Sequence, residues 1–206
     1  MFELFMSAFV TLFVVIDPPG CAPIYAGLTA HATPAARRSM AIRACVIAAA
    51  ILLGFALFGE ALLAAMHIEL DAFRVAGGIM LFLIALEMVF EKRTERRNDR
   101  ADKVREDPQH EDVSVFPMAM PMLAGPGAIA SIMLLSSNAQ GIEGTLVVLA
   151  ALALVLVLTL MALLAASPLM RAFGDKVEAV VTRLLGVLLA ALATQYVIDG
   201  LRASFS

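Results

Sequence analysis

Asp17-Pro18-Pro19-Gly20-Cys21-Ala22-Pro23 interrupts an apolar run that extends from about position 4 to 30. A bilayer core about 30 Å thick is crossed by about 20 apolar residues in a helix, so the run is long enough to span it despite the interruption. Each proline removes a backbone N–H, and a carbonyl freed in hydrocarbon costs several kcal/mol unless protein or a watered cavity satisfies it. Asp17 adds a second cost, about 2.5 to 3.5 kcal/mol for an acid at the centre of a membrane helix. It therefore needs a partner. An ammonium group, a proton or a sodium ion serves, and a cap on neighbouring backbone amides is the purely structural alternative.

A second break answers the first. Ala124-Gly125-Pro126-Gly127-Ala128-Ile129 lies in another apolar run, and its Pro-Gly falls 107 residues after Pro19-Gly20. Arg74-Val75-Ala76-Gly77 and Arg183-Leu184-Leu185-Gly186 repeat an R-x-x-G pattern 109 residues apart. With three spans in each half, the second copy enters the bilayer from the opposite side, which makes the repeat inverted. Interrupted helices at corresponding positions of two such halves point to a transporter's site near the bilayer midplane. The half-helices after Gly20 and Gly127 run in opposite directions from that level. Their N–H-rich, partially positive starts converge and suit a carboxylate or another anion. The predicted substrate site comprises Asp17, Pro19, Gly20, Cys21 and Pro23 from the first break and Gly125, Pro126, Gly127 and Ala128 from the second, with Ser131 lining it. Asp17 takes an ammonium group or a coupling cation, and the helix starts at Gly20–Cys21 and Gly127–Ala128 take a carboxylate.

The rest of the chain sets these breaks in a membrane. Of 206 residues, 61% are hydrophobic and 16% charged, against about 25% charged in a soluble domain, which excludes an ordinary globular enzyme. Apolar runs at about 4–30, 44–66, 72–90, 115–137, 145–170 and 180–201 read as six transmembrane helices. The short strands of alternating polarity that a barrel requires are missing from the pattern. The predicted fold is an all-α integral membrane domain of two inverted three-helix repeats, over 1–90 and 115–206, with spans one and four interrupted at Pro-Gly. Between them, 91–114 is a charged, solvated linker, helical in its first part. Of the 33 charged residues, 15 fall between Glu91 and Asp112, with signs alternating. Thirteen of the fifteen Lys and Arg fall on one side of a six-span arrangement, leaving Arg74 and Arg202 on the other. The positive-inside rule then puts the linker in the cytosol and both termini outside.

Other chemistry is excluded or left without support. The mixed island offers no basic stripe for a nucleic-acid backbone, so nucleic acid is not an expected partner. Met1-Phe2-Glu3 lacks a basic n-region and no cleavage site follows, so the first segment reads as a retained span. His31, His67 and His110 are scattered, with no acid or cysteine at ligand spacing, and no metal or cofactor is expected. H-E-x-x-H and G-x-S-x-G do not occur, and Cys21 and Cys45 lack the second-half cysteine that a membrane thiol relay needs, so enzyme activity is not expected. Glu60 and Glu87 read as interfacial. Gly77-Gly78 and Gly186 read as close helix packing, and small-residue faces allow a dimer without demanding one.

The D-P-P-G-x-x-P segment at Asp17–Pro23, P-x-x-x-G-P-G-A-I at Pro121–Ile129, F-R-x-A-G-G at Phe73–Gly78 and R-L-x-G at Arg183–Gly186, with a late Gln and Asp-Gly, together resemble the MarC family of bacterial inner-membrane proteins. The resemblance covers nearly the whole chain. It implies an inner-membrane location and a grouping with LysE-type transporters, some archaeal relatives being regarded as carriers of small neutral amino acids. Proton or sodium coupling is an expectation of the transporter reading, with Asp17 as the group that takes the cation. The position matching Asp17 is often Asp and can be Asn in such proteins. The competing expectation is a non-transporting membrane subunit.

Overall fold

The protein is described by a computed structural model covering residues 1–105, 112–139 and 141–205, without side-chain detail for residues 100, 102–105 and 167–179. Pro108 and His110 of the linker lie outside the described residues, as do the side chains of Arg171 and Lys176. Eight α-helices occur among the described residues: α1 (Phe2–Ile16), α2 (Pro18–Leu28), α3 (Pro34–Ala65), α4 (Leu70–Val89), α5 (Lys92–Arg105), α6 (Pro126–Asn138), α7 (Gly141–Leu164) and α8 (Ala166–Ser204). No strand occurs among them.

Five helical stretches are long and apolar enough to cross a membrane, α1 and α2 together counting as one of 27 residues, Phe2–Leu28. Ser114–Leu123 and α6 form a pair bent by 53°, which makes up to six spans if that pair is one. Hydropathy locates these spans but not the ends of the helices. α3 begins at Pro34, capped by Thr33, whose hydroxyl accepts from Ala36 N at 3.2 Å, so the predicted start near 44 marks where the apolar stretch begins. α8 likewise runs from Ala166 through the charged stretch expected to be a connection.

Ser114–Leu123 is wound more widely than an α-helix, with Met118 N donating to Val113 O (3.3 Å) and Ala124 N to Ala119 O (2.9 Å). Phe116 and Met120 are extended within it, each followed by a proline. A proline ring clashes with an α-helical predecessor, which accounts for both.

Lipid tails are as apolar as leucine, so association rests on close packing and backbone approach. α4 and α8 make the most extensive helix–helix interface and run antiparallel through glycines. A Cβ on Gly78 would stand 2.9 Å from Ala193 O, one on Gly186 3.1 Å from Ala85 O, and one on Gly200 2.9 Å from Asp71 O. α3 presents a buried small-residue stripe of Ala41, Ala44 and Ala48. The wholly buried Leu12, Ile16, Cys21 and Tyr25 place α1 and α2 in the centre of the bundle. α4 ends at Phe90, and Glu91, with φ 61°, turns the chain so that α5 lies against α2, α4 and Ser114–Leu123. A left-handed residue just past a helix end is a common way to stop it.

Candidate functional site

The site forms around the carbonyls that the prolines leave free. Pro19 cannot donate to Val15 O, and Gly20 N turns from Ile16 O to the Asp17 carboxylate, at 3.1 Å from Oδ1. Asp17 itself has φ 59°, ψ 65°, in the left-handed region where aspartate is tolerated better than most residues. It closes α1 through its N–H to Phe13 O (2.9 Å) and caps α2 with its side chain. A Cβ on Gly20 would stand 2.3 Å from Asp17 Oδ2, so only glycine leaves room for the carboxylate there.

Two arginines of α5 complete this junction. Arg97 Nη1 lies 2.8 Å from Asp17 Oδ2, with both side chains almost wholly buried. Its Nη2 reaches Ile16 O at 3.5 Å. Arg93 Nη2 donates to Val15 O at 2.5 Å and its Nη1 to Met88 Sδ at 3.0 Å. Cations at the C-terminal end of α1 meet its unpaired carbonyls and the negative end of its dipole. Arg93, Arg97 and the buried Ala101 are spaced four apart, so they form one inward face of α5. Arg96 instead pairs with Glu87 at 2.7 Å and is well exposed. Burial, together with the like charge of Arg97, lowers the Arg93 pKa to about 10, with Asp17 and Glu87 acting in the opposite sense. Arg93 is a cation at neutral pH.

Opposite the end of α1 stands the start of α6. Gly125 occupies its N-cap position with no side-chain cap, and Pro126 has no N–H. The first-turn amides of Gly127 and Ala128 are left for another partner, with the positive end of the α6 dipole behind them. A Cβ on Gly125 would stand 2.3 Å from the carbonyl oxygen of Pro121, so the chain passes over itself here. A cavity of about 340 Å³ opens between Val15, Gly125–Ala128 and the three arginines Arg93, Arg96 and Arg97, with Glu87 on its wall. That volume suits a small solute.

Gly125, Pro126, Gly127 and Ala128 line this cavity. Asp17 borders it through Arg97. Pro19, Gly20, Cys21 and Pro23 are not among its lining residues; Cys21 is buried with Sγ 3.5 Å from Ile16 O. The α2 start is closed by the Asp17 side chain, so one helix N-terminus, not two, faces the cavity. Ser131 is wholly buried one turn further along α6, and its hydroxyl has no hydrogen-bond partner. Arg93, Arg96, Arg97 and Glu87 were not anticipated in the site. The four-residue spacing of Arg93 and Arg97 was the available signal, masked by the alternating charges around them. The linker's first part is helical, α5, but its inward face is not solvated, because it supplies partners for Asp17 and for the carbonyls orphaned by proline.

The integral membrane protein model of the MarC family matches residues 2–205. The chain belongs to the MarC family. Relatives include a UPF0056 membrane protein of Methanocaldococcus jannaschii, 34% identical over 202 residues covering 98% of each chain. The UPF0056 membrane protein YvbG of Bacillus subtilis is 34% identical across 100% of this chain and 97% of its own. The UPF0056 inner membrane protein YhgN of Escherichia coli K12 is 34% identical over 96% of this chain and 95% of its own. No solved structure matches. As a MarC family member the chain is a multi-pass integral membrane protein.

Proposed function

We propose that this MarC family protein is a secondary transporter of small carboxylate-bearing solutes, small neutral amino acids being the first class to test. The observation that carries the reading is the 340 Å³ cavity in which the uncapped start of α6 faces the arginines of α5. A scaffold has no need of unsatisfied amides beside a polar cavity, whereas a solute carboxylate satisfies them. Asp17, held by Arg97, orders the junction rather than binding the ammonium group. The break at Asp17–Gly20 and the bend at Ala124–Pro126 serve as paired interruptions of two inverted three-helix halves. The antiparallel packing of α4 and α8, the third span of each half, is what such a repeat requires. Alternating access then consists of one half rocking against the other across the cavity, with α5 on the cytosolic side and both termini outside.

The test is uptake of labelled alanine or glycine into proteoliposomes, with and without an imposed proton or sodium gradient. Saturable uptake above protein-free vesicles is expected, and a gradient that accelerates it identifies the coupling ion. Uptake no faster than in empty vesicles, in either direction and under any gradient, contradicts the proposal and favours a non-transporting subunit.

A further inference from the structure

The charge balance of the cavity specifies the net charge of what it binds, an inference that rests on the cavity being the solute site. Among the described residues, three arginines and one glutamate line it. Arg96 is matched by Glu87 at 2.7 Å, and Arg97 by Asp17 at 2.8 Å just behind the wall. Arg93 donates only to a carbonyl and a thioether, and no described carboxylate lies within ion-pair distance of it. The dipole at the end of α1, which Arg93 caps, is offset by the opposite dipole at the start of α6, whose amides carry no side-chain cap. Among the described residues, one positive charge and a set of free N–H donors remain. Glu87, the acid on the wall, is already engaged by Arg96, so no described carboxylate is left for an ammonium group.

We infer that the cavity binds a small monocarboxylate anion, its oxygens shared between Arg93 and the amides of Gly127 and Ala128, in preference to a zwitterion of the same size. A zwitterion brings the carboxylate but also places an ammonium group among arginines, where like charges repel. The same oxyanion chemistry is offered by an anionic lipid headgroup, so the experiment separates the two sources.

Purified protein in dodecyl maltoside is probed with labelled propionate by scintillation proximity and competed with unlabelled propionate, alanine, ethylamine and phosphatidylglycerol. Propionate is expected to compete at least tenfold better than alanine, which has nearly its size, and ethylamine and phosphatidylglycerol not at all. Arg93→Gln keeps a donor for Val15 O but removes the charge, and is expected to weaken propionate binding tenfold or more and abolish its advantage over alanine. Arg93→Lys, which keeps the charge, should retain the preference for propionate, with unfolding temperatures showing whether each variant is folded. Alanine competing as well as propionate, phosphatidylglycerol competing where unlabelled propionate does not, or unchanged binding in folded Arg93→Gln overturns the inference. These binding results are independent of uptake: alanine transported without any preference for propionate defeats this inference alone, and propionate bound but no solute transported defeats only the transport reading.

Discussion

At the scale of a residue, Asp17 divides one carboxylate between two tasks. Oδ1 caps α2 through Gly20 N, and Oδ2 neutralises Arg97. Asn can adopt the same left-handed backbone and keep the cap, but it cannot neutralise a guanidinium. Removing one member of a buried ion pair strands the other charge, typically at a cost of 3–5 kcal/mol. Asp17→Asn is therefore expected to destabilise the protein by about 3 kcal/mol, read from unfolding in mixed detergent micelles. Asp17→Asn combined with Arg97→Gln should cost clearly less than the sum of the two single changes, because no charge is then left unpaired. Strict additivity would mean that the two groups do not act as a pair. The need for a partner at Asp17 was legible in the sequence, since an acid beside two prolines in an apolar run cannot stand alone. The partner's identity was not. Arg97 lies 80 residues away in a stretch whose seven basic residues look alike, and only folding α5 back over the break selects two of them.

At the scale of an element, glycine is read correctly from sequence where a neighbouring backbone approaches. Gly78 and Gly186 lie in the α4–α8 interface, against side chains and carbonyls of the facing helix, while Gly77 faces Leu134 and Ala130 of α6. A methyl group at Gly78 meets Ala193 O at 2.9 Å and Val197 N at 3.0 Å, backbone atoms that can yield only if the helices part. Gly78→Ala is expected to cost about 1–3 kcal/mol. A Cβ at Gly54, within α3, has nothing within 4 Å. Gly54→Ala should then be neutral or gain up to about 1 kcal/mol from reduced backbone freedom in the unfolded chain. Thermal unfolding of the two variants side by side checks both, and equal effects would contradict the packing described. The wide segment Ser114–Leu123 was less legible. Its prolines at 117 and 121 announced disruption, but its backbone path depends on extended residues at Phe116 and Met120 that leave no periodic trace in the sequence. Helix lengths were underestimated for a simple reason: hydropathy measures the thickness of the bilayer, whereas α3 and α8 continue past the apolar stretch on ordinary helix-forming residues.

At the scale of the whole molecule, the helix starts at Pro18 and Pro126 lie in unlike surroundings. The start of α2 is capped from within and shut, while the start of α6 is open to a cavity. The arginines of α5 serve both places, capping the end of α1 on one side and lining the cavity on the other. A segment read as a connection thereby becomes a wall of the site. On the proposed transporter reading, the asymmetry separates structural from solute-binding roles among residues that looked equivalent. Changes at Asp17 and Gly20 should act mainly through stability, and changes at Ala128 and Arg93 mainly through the solute.

The measurement that tests the central claim most directly is uptake by a variant in which the cavity is partly filled. Ala128 lines the cavity and is buried. Ala128→Leu adds three carbons there. Reconstituted into proteoliposomes beside the unaltered protein and Gly54→Ala, it is predicted to lose tenfold or more of the initial rate of labelled alanine uptake, with an unfolding temperature within a few degrees of the unaltered protein. Full uptake by a folded Ala128→Leu variant would contradict the assignment of this cavity as the path of the solute.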